Sequence, residues 1–237
     1  MFQPDIDIQA NSNLAGFLEG CGIGSYEALA ERASTEPDWF WSKILDLADI
    51  RFSKPYSQLR DASDGPENIR WAVGGTLNLT ETLLDARIEG GLGDKAAIDW
   101  VGEDGAARCW SYRDLADETA RVASALAARG VGPGDAVGIY MPMIPEISAA
   151  FLGIARLGAI VVPLFSGFSA PAIVARLNDS SAKAVMTVDA TPRRGKPVPM
   201  EKTLADALAE VPSVHTVISL RRFGGTAANV ARDLDWQ

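Results

Sequence analysis

Residues 135–164 read DAVGIYMPMIPEISAAFLGIARLGAIVVPL, and this stretch decides the fold. Segments 136–140 and 159–164 are short and rich in β-branched residues, whereas 145–157 between them repeats apolar residues at helical spacing. A strand, a helix and a second strand in that order make a parallel crossover unit. The alternation continues downstream with a helix near 170–177, a strand at 183–188, a helix near 201–210 and a strand at 214–220. Four strands separated by three helices predict an α/β fold: a doubly wound, mostly parallel sheet with flanking helices. Right-handed crossovers place loops 141–145, 165–169 and 189–197 on one rim, outside the carboxyl ends of the strands, where open sheets of this kind take their ligands.

Upstream of this unit, 96–101 and 107–110 read as a hairpin around the turn Gly102-Glu103-Asp104-Gly105. Ser111-Tyr112-Arg113-Asp114 then opens a helix like a capping box with aspartate in the acidic position, and Leu115, Thr119, Val122 and Leu126 repeat until Gly130 stops it. Residues 1–72 are aromatic, charged and helical without clear strands. Ser34-Thr35-Glu36-Pro37 offers a cap and an early proline, and Trp39, Phe40, Trp41, Ile44, Leu45 and Leu47 are the apolar positions of the helix that follows. Segments 53–55 and 61–66 read as loop, and a further helix is expected over 78–88. The chain thus divides into a helical N-terminal region, 1–94, and an α/β region, 95–237.

Thirty-one acidic and 22 basic residues leave a formal charge of −9 in 237 residues, of which 47% are hydrophobic. That balance excludes a disordered tail and a basic nucleic-acid wrapper. Two cysteines, Cys21 and Cys109, are too few for a disulfide framework and lack the spacing of a structural zinc site. The N-terminus lacks a positive charge followed by an apolar run, and the apolar stretch 149–165 is interrupted by Arg156, Gly158 and Pro163. A soluble, cytoplasmic protein without a membrane or nucleic-acid partner is expected. The single histidine, His215, lies in an apolar segment with no catalytic companion. The Ser-His-Asp, HExxH and GxxxxGK[ST] templates are absent, and Gly20-Cys21-Gly22-Ile23-Gly24 follows no strand. No catalytic residue and no metal ligand is therefore assigned, and a dinucleotide-binding oxidoreductase lacks its GxGxxG fingerprint.

The rim loop Asp189-Ala190-Thr191-Pro192-Arg193-Arg194-Gly195-Lys196-Pro197 gathers three cations within four residues of an acidic chain. Arg193, Arg194 and Lys196 around Gly195 either grip a phosphate by forked and point-charge hydrogen bonds or form a solvated basic loop. In Phe165-Ser166-Gly167-Phe168-Ser169, Gly167 permits close ligand approach, Phe165 can lie against a planar ring and Ser169 can cap the next helix. Alternatively, both phenylalanines belong to the core.

At these segments the chain resembles the N-terminal part of an AMP-forming acetyl-CoA synthetase, or a related short-chain acyl-CoA synthetase, of the adenylate-forming superfamily. The resemblance covers about residues 35–237. It rests on the W-x-x-G-G-x-L-N segment from Trp71 to Asn78, the YMPM-x-PE segment from Tyr140 to Glu146, the FGGFS-like run from Phe165 to Ser169, and the DSS-like segment from Asn178 to Ser181. Ordered motifs at family spacing are far more specific than a single glycine loop.

The resemblance implies that Phe165, Ser166 and Gly167 and the basic loop of Arg193, Arg194, Gly195 and Lys196 contact the nucleotide end of coenzyme A. Ser166 replaces a family glycine and narrows backbone access. Lys196 stands where arginine is common, keeping the charge but losing the fork. It also implies a parent that activates a short carboxylate with ATP and magnesium and passes the acyl group to coenzyme A. Acetate is the default acid, with propionate or another small acid open. The family's ATP-phosphate loop, acyl pocket and C-terminal domain are not found in these residues, so the chain is expected to be part of a longer protein and inactive alone. The alternative is a stand-alone, non-catalytic module that binds a nucleotide, coenzyme A or a partner.

Overall fold

The computed structural model describes residues 5–103, 105–224 and 233–236; part of the expected 102–105 turn, at Asp104, lies outside these. Two compact units result, Met1–Leu77 and Asn78–Gln237.

In the first unit, helices α1 (Ile6–Asn11), α2 (Asn13–Cys21) and α3 (Tyr26–Thr35) begin at Asp5, Ser12 and Ser25, each of which accepts a backbone N–H as an N-cap. Helix α4 (Pro37–Leu47) starts on Pro37 as expected, but no side chain caps it. The Ser34 and Thr35 hydroxyls instead donate back to the Ala30 and Glu31 carbonyls of their own helix. The helical character expected here is present, and one antiparallel pair adds to it: β1 (Gln58–Asp61) pairs with β2 (Arg70–Val73). Neither strand alternates clearly between apolar and polar residues, so periodicity gave no signal. Their pairing is supported by side chains, with Arg70 to Asp61 at 2.6 Å and Trp41 edge-on to Trp71 at 5.7 Å.

The second unit opens with a widened, π-type helical stretch through Glu81–Asp85 and Ile88–Leu92, where an ordinary helix is expected. The hairpin β3 (Ala96–Val101) and β4 (Ala107–Ser111) follows. Helix α5 (Tyr112–Ala127) begins at the full capping box that Ser111 and Asp114 predict. The central sheet then alternates with helices: β5 (Ala136–Tyr140), α6 (Pro145–Arg156), β6 (Ile160–Pro163), α7 (Ala170–Asp179), β7 (Ala184–Val188), the hairpin β8 (Ala190–Arg193) and β9 (Lys196–Pro199), α8 (Met200–Leu208) and β10 (Thr216–Leu220). A short β11 (Asp233–Asp235), too brief to signal itself, adds a fifth strand.

Among the described residues the sheet is all parallel, ordered β11-β10-β7-β5-β6. The chain steps from β5 to β6 on one side and then returns across β5 to β7 and β10. With right-handed crossovers, α6 covers one face and α7 and α8 the other. Strands β5, β7 and β10 are buried along their whole length, as expected for a sheet covered on both faces. The direction reverses between β5 and β7, and the carboxyl ends of those strands flank the crevice that doubly wound sheets leave for ligands.

Candidate functional site

Three segments meet this rim, beginning with the turn after β6. Phe168 donates its N–H to the Phe165 carbonyl at 2.9 Å, closing the turn. Tyr140, at the end of β5, donates its hydroxyl to the Ser166 and Phe168 carbonyls at 3.3 and 3.4 Å. Burial holds the Tyr140 phenol above its ordinary pKa, so it stays a donor. The Phe165 ring is 67% exposed and meets Phe168 edge-on at 5.7 Å. Phe168, by contrast, packs against the core with the Arg176 guanidinium 4.2 Å from its ring centre. The two phenylalanines, which sequence alone could not separate, thus take different places. Gly167 leaves room for the Phe165 ring, because a Cβ there would lie 2.7 Å from Cε1. Ser169 occupies the N-cap position of α7 without donating or accepting a cap bond.

The second segment is the basic one. The expected loop is a regular two-residue hairpin, with Arg193 opposite Lys196 and a turn of Arg194 and Gly195. Both turn residues have positive φ, 54° and 73°, the geometry of a type I′ turn. Glycine accepts that conformation freely, whereas Arg194 does so at a cost of roughly 1 kcal/mol. Alternation is poor in this segment and Pro192 and Pro197 face each other, which is why composition reads it as loop. Arg193, Arg194, Gly195 and Lys196 are all exposed, and none of the three cations has an ion-pair partner among the described residues. Strands β6 and β7, from which the two segments leave, stand on either side of β5, about 10 Å apart.

The hairpin is anchored at its base by Asp189. Its carboxylate, 6% exposed, accepts the N–H groups of Ala190 at 2.8 Å, Arg222 at 3.0 Å and Phe223 at 2.8 Å. One buried acid therefore joins the exit of β7 to the exit of β10. The motif reading includes Asp189 but gives it no role, since two of its three partners, Arg222 and Phe223, lie more than 30 residues away.

The third segment follows β5. Glu146, buried at the start of α6, accepts a fork from Arg108 at 2.5 and 2.9 Å, and Trp100 donates its indole N–H to the Met143 carbonyl at 2.7 Å. Trp100, Arg108 and Glu146 line a cleft of about 310 Å³ together with Leu220, Arg221 and Arg222. Trp100, Arg108 and Arg222 escape a sequence reading because hairpin and strand end approach only in the folded chain. Other motif residues are structural: Asn78 donates to the Ala155 and Arg156 carbonyls ending α6, and Asn178 donates to the Glu210 carbonyl. His215 sits beside Thr216, with its ring Nδ1 3.2 Å from the hydroxyl.

Residues 86–235 match the family model described as AMP-binding enzyme, and residues 26–83 match that described as acetyl-coenzyme A synthetase N-terminus. The chain belongs to the AMP-binding enzyme family. Among its relatives, the acetyl-coenzyme A synthetase of Mycolicibacterium smegmatis is 39% identical over 237 residues, covering 99% of this chain and 24% of that protein. The acetyl-coenzyme A synthetase of Escherichia coli K12 is 39% identical over 233 residues, covering 94% of this chain and 34% of that protein. In structure, the chain is similar to an acetoacetyl-CoA synthetase from Streptomyces lividans, with a TM-score of 0.91, 29% identity and coverage of 99% of this chain and 36% of that one. The chain therefore spans about a quarter to a third of the length of these relatives. The α/β, doubly wound fold read from the sequence agrees with this family member. Among the described residues no helix is long and apolar enough to cross a membrane.

Proposed function

We propose that this chain supplies part of the coenzyme A site of an AMP-forming acyl-CoA ligase, which joins a short acid such as acetate to coenzyme A through an acyl-adenylate. One observation carries the reading: an exposed hairpin bearing Arg193, Arg194 and Lys196, free of ion-pair partners among the described residues, leaves the same sheet rim as the exposed ring of Phe165. The cations suit the 3′-phosphate of coenzyme A, with Arg193 offering a fork and Lys196 a point charge. The Phe165 ring and the Ser166-Gly167 backbone suit the adenine. In an acidic chain, a local positive patch also draws in an anionic ligand.

ATP and magnesium belong to the proposed whole enzyme. Among the described residues no group of three or more His, Cys, Asp or Glu side chains is arranged to hold a metal ion, and no step is assigned to either group in this chain. We assign residues 1–94 to a helical N-terminal region and 95–237 to the first part of the AMP-binding domain of a cytoplasmic synthetase, whose remaining part is the partner of this chain. By itself the 237-residue chain makes no acyl-adenylate, and acetate-dependent exchange of pyrophosphate into ATP is expected to stay at background.

Calorimetric titration of coenzyme A into the chain tests the site. Saturable binding, weakened about tenfold by Arg193→Ala and to a similar degree when dephospho-coenzyme A replaces coenzyme A, is the expected result. Equal affinity for the two ligands would remove the phosphate role of the hairpin.

A further inference from the structure

The turn of the basic hairpin is held by an acid from another part of the chain. In a two-residue hairpin turn the N–H of the first central residue has no acceptor inside the hairpin, and here that donor is Arg194. It donates to Glu103 Oε1 at 2.8 Å, across 91 residues of sequence. Glu103 lies in the connection between β3 and β4. Its carboxylate bonds the backbone amide, with no ion pair to Arg193, Arg194 or Lys196 among the described residues. The tip is thereby fixed while its cations keep their charge for a ligand.

Two further features make this tether consequential. Arg194 has a φ of 54°, a conformation that a non-glycine residue leaves unless something holds it. The strands β8 and β9 are four residues each, and all of β9 is exposed, so little side-chain burial orients the tip. Asp189 ties down the base of the hairpin, and Glu103 ties down its far end.

We infer that Glu103 is the positioning residue of the basic hairpin: its carboxylate holds the Arg194 turn so that Arg193 and Lys196 face one phosphate. This deepens the coenzyme A reading and rests on it for the identity of the ligand, while the tether itself is measurable without any ligand. Glu103 is exposed, so its replacement leaves the core intact.

The test uses the whole 237-residue chain and the variants Glu103→Ala and Glu103→Gln. Amide hydrogen exchange, followed by NMR, is measured first. The Arg194 amide is expected to exchange about tenfold faster in Glu103→Ala and at close to its original rate in Glu103→Gln, whose amide oxygen still accepts the bond. Unchanged exchange in Glu103→Ala would overturn the inference, as would Glu103→Gln behaving like Glu103→Ala.

Affinity is measured next with coenzyme A and dephospho-coenzyme A. Glu103→Ala is expected to weaken coenzyme A several-fold and leave dephospho-coenzyme A unchanged, lowering the ratio between them; a general structural defect would weaken both alike. Tighter binding of coenzyme A in Glu103→Ala would also overturn the inference, because Glu103 would then act as a repelling charge. If the unaltered chain bound neither ligand while the Arg194 amide still depended on Glu103, the tether would stand and the coenzyme A reading would fall.

Discussion

Arg108 and Glu146 show how much one buried acid depends on its partner. Glu146 has a side chain 8% exposed, while Arg108 is 37% exposed and closes over it as a fork. Removing the guanidinium strands a carboxylate in the protein interior, so Arg108→Ala is expected to lower stability by about 2–3 kcal/mol, less than a wholly buried pair because water reaches the arginine. Urea denaturation measures this, and Arg108→Ala combined with Glu146→Gln should recover part of the loss. At Asp135, hydrogen bonding from Lys183, then the Gly132 N–H, holds the carboxyl below its ordinary pKa. At Asp114 the Ser111 hydroxyl and N–H of the capping box do the same. A depressed native pKa means that the unfolded chain takes up the proton more readily. These acids therefore contribute stability that is present above about pH 4 and is lost as pH falls through their lower native values. Below about pH 4, Asp135→Asn should lose urea resistance less steeply than the unaltered chain, and equal slopes would remove this role from Asp135. Neither long-range pair is visible from spacing, whereas the Ser111 and Asp114 pair is legible because it is local.

At the scale of elements, α5 lies against α6, and their approach depends on Gly153. A Cβ at that position would stand 2.5 Å from Val122 Cγ1, 2.7 Å from Val122 Cβ and 3.1 Å from the Thr119 carbonyl. Two of these atoms lie at or next to the backbone of α5 and cannot swing away. Alanine is the better helix former by about 1 kcal/mol, but forced separation of packed helices costs about 1–3 kcal/mol. A net loss of up to about 2 kcal/mol is therefore expected for Gly153→Ala, read from the urea midpoint, with partial recovery when Val122→Ala makes room. The hairpin β8–β9 is one element that the sequence misreads. Its prolines and charges resemble a loop, and side chains outside it, Asp189 and Glu103, accept backbone bonds at its two ends. The order of β5, α6, β6, α7 and β7 is legible because each element carries its own local period, whether the strand is wholly buried, as β5 and β7 are, or only partly so, as β6 is at the edge.

For the whole molecule, the main consequence is an open edge. Among the described residues β6 pairs only with β5, and Ile160 at its start is 53% exposed. Such an edge presents unpaired backbone groups to another chain, although Pro163 removes one donor. The 237-residue chain is accordingly expected to self-associate as its concentration rises, and Ile160→Lys to weaken that association; sedimentation velocity across a concentration series reads both. A monomer at every concentration would count against an available edge. The sequence by itself determined the alternating α/β order, the helix starts at Ser111 and Pro145, the rim that carries the loops, and the motif series of the AMP-binding enzyme family. These follow from local periodicity, local capping and the handedness of crossovers, all of which are written within a few residues. Only the tertiary structure decided which phenylalanine of 165–168 faces solvent, that the basic segment is a hairpin, and that Glu103 and Asp189 hold its two ends. Those outcomes depend on hydrogen bonds and packing between residues far apart in sequence, whose partners no local pattern names.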